Sequence, residues 1–376
     1  MVSDLTALQP IHVGFTNCFP IDTGDGLVLI DTGLDTDQNW DRLTKGLEER
    51  GRSIKDVRWV LLTHAHTDHC GLVHRVKEAS NAQIIIHQLE AFFLRQGSHH
   101  RSSNQAQFTR LFLEHGVPEQ LVSWLFRMGS RAWGRRWEAD PPLFGPEPEH
   151  TLHWEALEAA EVAEQDRQGP DAGHAVPASR RDERSPNVWR FKGLEPDVTF
   201  DDDQYIELGE LRLRSYYTPG HTPGHACFYH EESRVFFAGD HILKRITPNP
   251  GLYFVYNQYE RRSKSLPDYI RSLMAVRNVP CVRVLGAHES EMPNMEYAVD
   301  RIVMHHERRA RTAMSAVRHG RNTTYGLLPV LFPTLRASAL FPALGETLGH
   351  LDLLEEQGQV AAELVSGGYI YRPLGD

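Results

Sequence analysis

The stretch LLTHAHTDHC, residues 61–70, constrains this chain more than any other. It sets His64, His66, Asp68 and His69 within six positions, directly behind an apolar run that reads as a strand. Imidazoles this close repel one another when protonated and have few partners when neutral. The cluster is therefore costly unless something binds it, and a metal ion is the ligand it suits. Residues i and i+2 of an extended segment point to one side, so His64 and His66 can grip one ion together. Asp68 and His69 follow where the chain bends into a helix over CGLVHRV, aimed at a second position.

Other potential ligands share that placement. Asp31 follows LVLI, His221 follows RSYYTPG, Asp240 follows VFFAG and His288 follows CVRVLGA, each just past the end of a predicted strand. Strand ends at one edge of a sheet converge, so ligands scattered over more than 200 residues can line one pocket.

The texture around them is α/β: strand signals alternate with helices from residue 1 to about 90. Helical periodicity with bulky apolar groups then marks an insertion over about 90–150, and five of the seven tryptophans fall between Trp124 and Trp189. These aromatics pack the insertion onto its domain or shape a lid over an apolar pocket. A polar, linker-like excursion spans about 155–195, where His174 reads as solvated. Strands resume with a hairpin turning at Gly209-Glu210, and the chain turns helical after His288 before closing on a short hairpin about Gly367-Gly368. The division expected is a catalytic domain over 1–293 and a smaller C-terminal domain over 294–376.

HxHxDH at 64–69, the loop GHTPGH at 220–225, AGD at 238–240 and the late lone His288 occur here in one order. With them the chain resembles the metallo-β-lactamase superfamily. The resemblance covers residues 10 to about 290 apart from the insertion, and implies an αββα sandwich of two mixed sheets with a dinuclear site at one edge. By position, it implies that His64, His66 and His221 hold one divalent ion, that Asp68, His69 and His288 hold another, and that Asp240 bridges both. The chain departs from the pattern at Glu289, where the family usually has glycine. Asp31 reads as an orienter of the HxHxDH loop, His225 as a support or core residue and Cys70 as small apolar packing. His241, beside the bridging position, faces either the pocket and substrate or the core.

Such a site implies a hydrolase in which a metal-bridging hydroxide attacks, with Asp68 or a water bound to Asp240 moving the proton. Nitrogen and oxygen donors suit zinc, with iron or manganese also accommodated. Because an aspartate, Asp240, stands where some true β-lactamases carry a cysteine, antibiotic hydrolysis is not the expected activity. The apolar insertion favours a small acyl substrate, a thioester or a lactone. A phosphodiester or RNA hydrolase and a mononuclear iron sulfur dioxygenase-like oxidoreductase are the alternatives.

Charge and composition narrow the partners. The formal net charge of −10 opposes nucleic acid and anionic lipid. Three C-terminal helices and a hairpin are winged-helix-like, but 337–371 contains no lysine or arginine to hold phosphate. That appendage is expected to act as a structural wall or a homodimer contact, and the basic run 307–321 reads as a solvated helix face. Four scattered cysteines without a CxxC pair, no leader-like N-terminus and no membrane-length apolar stretch suggest a soluble cytoplasmic protein.

Overall fold

The run LVLI at 27–30 is apolar without alternation, which requires a strand covered on both faces. In the computed structural model, which describes residues 4–97, 104–132, 142–144, 191–254, 262–292 and 294–375, this strand lies inside a six-stranded sheet. The sheet runs β1 (Ile11–Val13), β2 (Thr16–Asp22), β3 (Leu27–Ile30), β4 (Val57–Leu61), β5 (Gln83–His87) and β6 (Val198–Phe200) in spatial order. Its first three strands pair antiparallel, and β3 to β6 pair parallel. A second, five-stranded sheet comprises β7 (Tyr205–Leu208), β8 (Leu211–Tyr217), β9 (Ala226–His230), β10 (Val235–Gly239) and β11 (Arg283–Gly286). Its pairings are antiparallel except between β10 and β11.

In chain order the described helices are α1 (Asp37–Glu48), α2 (Thr67–Cys70), α3 (Val73–Ser80), α4 (Gln88–Gln96), α5 (Gln105–Glu114) and α6 (Glu119–Ala132). They continue as α7 (Ser265–Val276), α8 (Met295–Arg318), α9 (Thr324–Leu331) and α10 (Leu340–Glu356).

Pleating sends alternate side chains of β3 into two separate cores. Leu27 and Leu29 join Leu43 and Leu47 of α1 and Val73 and Val76 of α3. Val28 and Ile30 join Phe228, Val235 and Phe237 of the second sheet. Each such buried aliphatic side chain contributes about 1.5–3 kcal/mol, so both layers are held by the same strand. On the far sheet, α7 is tied to the connecting loops: Tyr269 Oη donates to the carbonyl of His241 at 2.6 Å, and Ser272 Oγ to that of Pro219 at 2.8 Å. The α/β sandwich expected of the resemblance is present, followed by a helical C-terminal region.

The described chain packs into two units, one holding residues 4–97, 191–253, 268–292 and 294–304, the other 104–132, 142–144, 254, 262–267 and 305–375. The insertion helices α5 and α6 thus group with the C-terminal segment, whereas α4 stays with the first unit. His115, after α5, has Nδ1 3.1 Å from Thr324 Oγ1 and stacks on Tyr369 at 4.9 Å, while Phe108 and Phe112 meet Phe341 edge-on. Within this unit Arg262 lays its guanidinium on the buried Asp352. Strands β12 (Val360–Val365) and β13 (Gly368–Pro373) form the closing hairpin. Of the five clustered tryptophans, Trp124 is core. Trp133, Trp137, Trp154, Trp189 and the excursion up to residue 190, with His174, lie outside the described residues.

Candidate metal centre

The potential ligands meet because both sheets end at one place within the first unit. The loop after β4 carries His64 and His66, and α2 carries Asp68 and His69. From the second sheet come His221 between β8 and β9, Asp240 directly after β10 and His288 shortly after β11. A glycine makes the turn at β10 possible. Gly239 has φ 52°, and a Cβ there would stand 2.6 Å from His225 Nε2, the atom that accepts the Asp240 N–H at 3.1 Å. Only a residue without a side chain lets that ring approach and aim Asp240.

Inward-facing atoms form two groups. His66 Nδ1 lies 2.9 Å from His64 Nε2 and 3.0 Å from His221 Nε2. In the other group His288 Nε2 is 3.4 Å and His69 Nε2 3.6 Å from Asp68 Oδ2. Asp240 faces both. Its Oδ2 is 3.4 Å from His221 Nε2, and its Oδ1 is 3.2 Å from His288 Nε2 and 3.6 Å from His69 Nε2.

The outward nitrogens explain why these atoms carry lone pairs. His69 Nδ1 is 2.8 Å from Asp31 Oδ2, His221 Nδ1 3.0 Å from the Asn249 carbonyl, and His288 Nδ1 2.9 Å from that of Phe15. Each partner accepts only, so the proton sits on Nδ1 and Nε2 is left bare in the neutral ring. Thr63 Oγ1 donates to Asp31 Oδ2 and is therefore an acceptor for His64 Nδ1, 3.1 Å away. His66 is turned the other way, with Nε2 2.8 Å from Tyr253 Oη, so it presents Nδ1.

Bare nitrogens about 3 Å apart repel unless a cation lies among them. Two imidazole nitrogens on one tetrahedral zinc lie roughly 3.3 Å apart, close to the spacing here. His69 Nε2 and Asp240 Oδ1 are moreover buried without a hydrogen-bond partner, the cost a coordinated ion would remove. The residues fit a divalent pair. Burial, aided by the neighbouring rings, lowers the pKa of His64 and takes His66 down to about 3, so this group is neutral and ready to ligate. Across the site burial works against the charge, but Asp240 and Asp68 outweigh it, raising His69 and holding His288 at about 10. A cation entering there displaces protons.

The family model described as Metallo-beta-lactamase superfamily matches residues 12–288. The chain belongs to that superfamily. Among relatives, "Probable metallo-hydrolase YqjP" of Bacillus subtilis is 23% identical over 339 residues, 90% of this chain and 88% of the relative. An "Atrochrysone carboxyl ACP thioesterase" of Aspergillus fumigatus is 25% identical over 118 residues, 31% of this chain and 33% of its own. A metallo-beta-lactamase family protein from Thermus thermophilus shares the fold, with TM-score 0.66 and 23% identity over 98% of both chains. As a member of the superfamily the chain is a metal-dependent hydrolase.

The remaining sequence expectations fall around this superfamily site. Asp31 accepts the Thr63 N–H at 2.9 Å as well as His69, so it steadies the HxHxDH loop. His225 is fully buried, with Nδ1 2.8 Å from Thr218 Oγ1. Cys70 is buried in the helix-side core, with its thiol on the Ala65 carbonyl. His241 has no exposed surface and lies between the rings of His225 and Tyr269, at 5.9 and 5.1 Å. Of the two orientations the sequence allowed, the side chain takes the one turned into the core. Glu289 has φ 64°, a left-handed conformation that favours glycine, and its carboxylate receives the Arg245 N–H at 2.8 Å.

Sequence reasoning missed Tyr253, Thr63 and Glu90. Nothing in their local patterns separates them from ordinary loop or helix residues. A further grouping in the second unit, His305, His306 and Glu346, also has ligand spacing. There Arg309 Nε already sits 3.2 Å from both His305 Nε2 and Glu346 Oε1, so a cation occupies the centre of that group.

Proposed function

We propose that this protein is a dinuclear hydrolase of acyl substrates, thioesters before lactones. In this reading His64, His66 and His221 would hold one ion and Asp68, His69 and His288 the other, with Asp240 available to both. Such a pair, zinc being the natural choice for these donors, supplies Lewis acidity and lowers the pKa of water towards neutrality. The observation that carries the reading is the pair of donor groups joined by the two oxygens of one buried carboxylate.

The chain's own residues then do the following. Asp68 turns Oδ2 to His69 and His288, which leaves Oδ1 to take the proton of the attacking water and return it to the departing sulfur or oxygen. Asp31, Thr63, Asn249 and Phe15 fix the ring orientations before substrate arrives, so none of that ordering is left to the transition state. The superfamily's thioesterase relative supports the acyl class. The hairpin offers nucleic acid little, its Arg372 being paired with Glu363. No described helix is long and apolar enough to cross a membrane. The four cysteines are free thiols, which suits the reducing cytoplasm.

A panel of an acyl thioester, a lactone, a phosphodiester and a β-lactam, each assayed with zinc, manganese and iron, tests this. Thioester or lactone cleavage should dominate, disappear on chelation and return with added ion. A dominant phosphodiesterase activity, or one iron per chain with thiol-dependent oxygen uptake, would overturn it.

A further inference from the structure

Glu90 is 1% exposed, yet its carboxylate meets no lysine or arginine among the described residues. Instead its two oxygens take one backbone N–H each from two different loops. Oε2 accepts from Ala65 at 2.9 Å, and Oε1 from Gly224 at 2.8 Å. Ala65 lies between His64 and His66, and Gly224 lies three residues beyond His221. Both loops delivering the three-histidine group are therefore pinned to one side chain, whereas Asp68, His69 and His288 have no bond to it.

The local construction serves that geometry. Glu90 sits in the first turn of α4, whose N-cap His87 receives the Leu89 N–H through Nδ1 at 3.3 Å. A glutamate there ordinarily reaches back to its own helix or out to water. Here it points inward, and the helix N-terminus supplies part of the positive potential that a buried carboxylate needs. The partner loop is cut to fit. A Cβ on Gly224 would come within 2.8 Å of His87 Nδ1 and 2.9 Å of Glu90 Cγ, so a larger residue would lift the loop off the carboxylate.

We propose that Glu90 is a positioning residue for the three-histidine metal position, a buried clamp that sets the separation of the HxHxDH and GHTPGH loops. The proposal rests on the reading of that group as a metal position. The three-histidine position draws ligands from both clamped loops and the other position from one of them, so the loss of Glu90 acts first on the three-histidine ion.

Glu90→Gln keeps the shape but turns an N–H donor toward one of the two backbone N–H groups. Glu90→Asp keeps the charge and, one methylene shorter, reaches one loop only. Zinc affinity is read by competition with a chromophoric chelator. The cobalt-substituted protein is read by the paramagnetically shifted ring N–H signals of its histidines. Both variants should lose about 10–100-fold in affinity for one of two metal equivalents, with the other within about twofold. The signals of His64, His66 and His221 should move while those of His69 and His288 stay. A merely structural glutamate would lower the melting temperature of the metal-free protein and leave both affinities and the spectrum unchanged, and that result overturns the proposal. Should Glu90→Gln fail to fold, the same two readouts on Glu90→Asp decide the matter in the same way. Wild-type protein that binds no stoichiometric zinc overturns the metal-centre reading and this inference with it. Wild-type binding with unaltered variants overturns the inference alone.

Discussion

Asp31→Asn is a sharp perturbation because it changes charge and almost nothing else. Asp31 sits at φ 58°, a left-handed conformation that asparagine adopts as readily as aspartate, so the backbone does not contribute. The carboxylate serves three donors: Oδ2 takes His69 Nδ1 and Thr63 Oγ1, both at 2.8 Å, and Oδ1 takes the Thr63 N–H at 2.9 Å. An amide has one oxygen. Whichever way it turns, its NH2 confronts at least one donor, and a lost hydrogen bond to a charged acceptor costs about 1.5–3 kcal/mol. At about 1.4 kcal/mol per tenfold, zinc affinity should fall roughly 10–100-fold. The loss should centre on the position of His69, whose ring orientation Asp31 sets, with a smaller effect relayed through Thr63 to His64. Competition titration against a chelator measures this, alongside the thermal shift that zinc produces. Affinity within twofold of wild type would refute the view that this carboxylate prepares the site.

Two other outcomes follow from the packing. Gly239→Ala places a methyl 2.6 Å from His225 Nε2 at φ 52°, so the ring must leave the Asp240 N–H. Hydrolysis at saturating zinc should drop at least tenfold, by analogy with losses on mis-set metal ligands. Steady-state kinetics with metal analysis checks it, and unchanged kcat/KM contradicts the role given to that turn. In the second unit burial depresses His115, to about 3, with Arg262 adding to the effect. A histidine depressed on folding gives its full stability above its unfolded pKa near 6.5, and loses it as pH falls from there toward about 3. His115→Gln should therefore flatten the decline in urea stability between pH 7.5 and 5, by up to about 2 kcal/mol. Parallel profiles for variant and wild type would show that His115 is not buried neutral.

The site was legible in the sequence to the extent that its chemistry is local. His64 and His66 announce themselves by spacing, and His221, Asp240 and His288 by standing just past strands that the sequence predicts. LVLI likewise had to be buried on both faces, and it divides its side chains between two cores. Glu90 was illegible for the opposite reason. A glutamate in a helix's first turn is what any helix prefers, and only the approach of two remote loops gives it a different task. His241 shows the limit of adjacency: next to Asp240 in sequence, its side chain turns into the interior. The grouping of 104–132 with the C-terminal segment was equally hidden. Periodicity identifies a helix but says nothing of which distant phenylalanine, here Phe341, covers its face.

All seven candidate ligands, from His64 to His288, belong to the first of the two packing units. The second unit is thereby released from the demands of coordination. A substitution in its helices can shift the stability of that unit without removing any atom that would hold an ion.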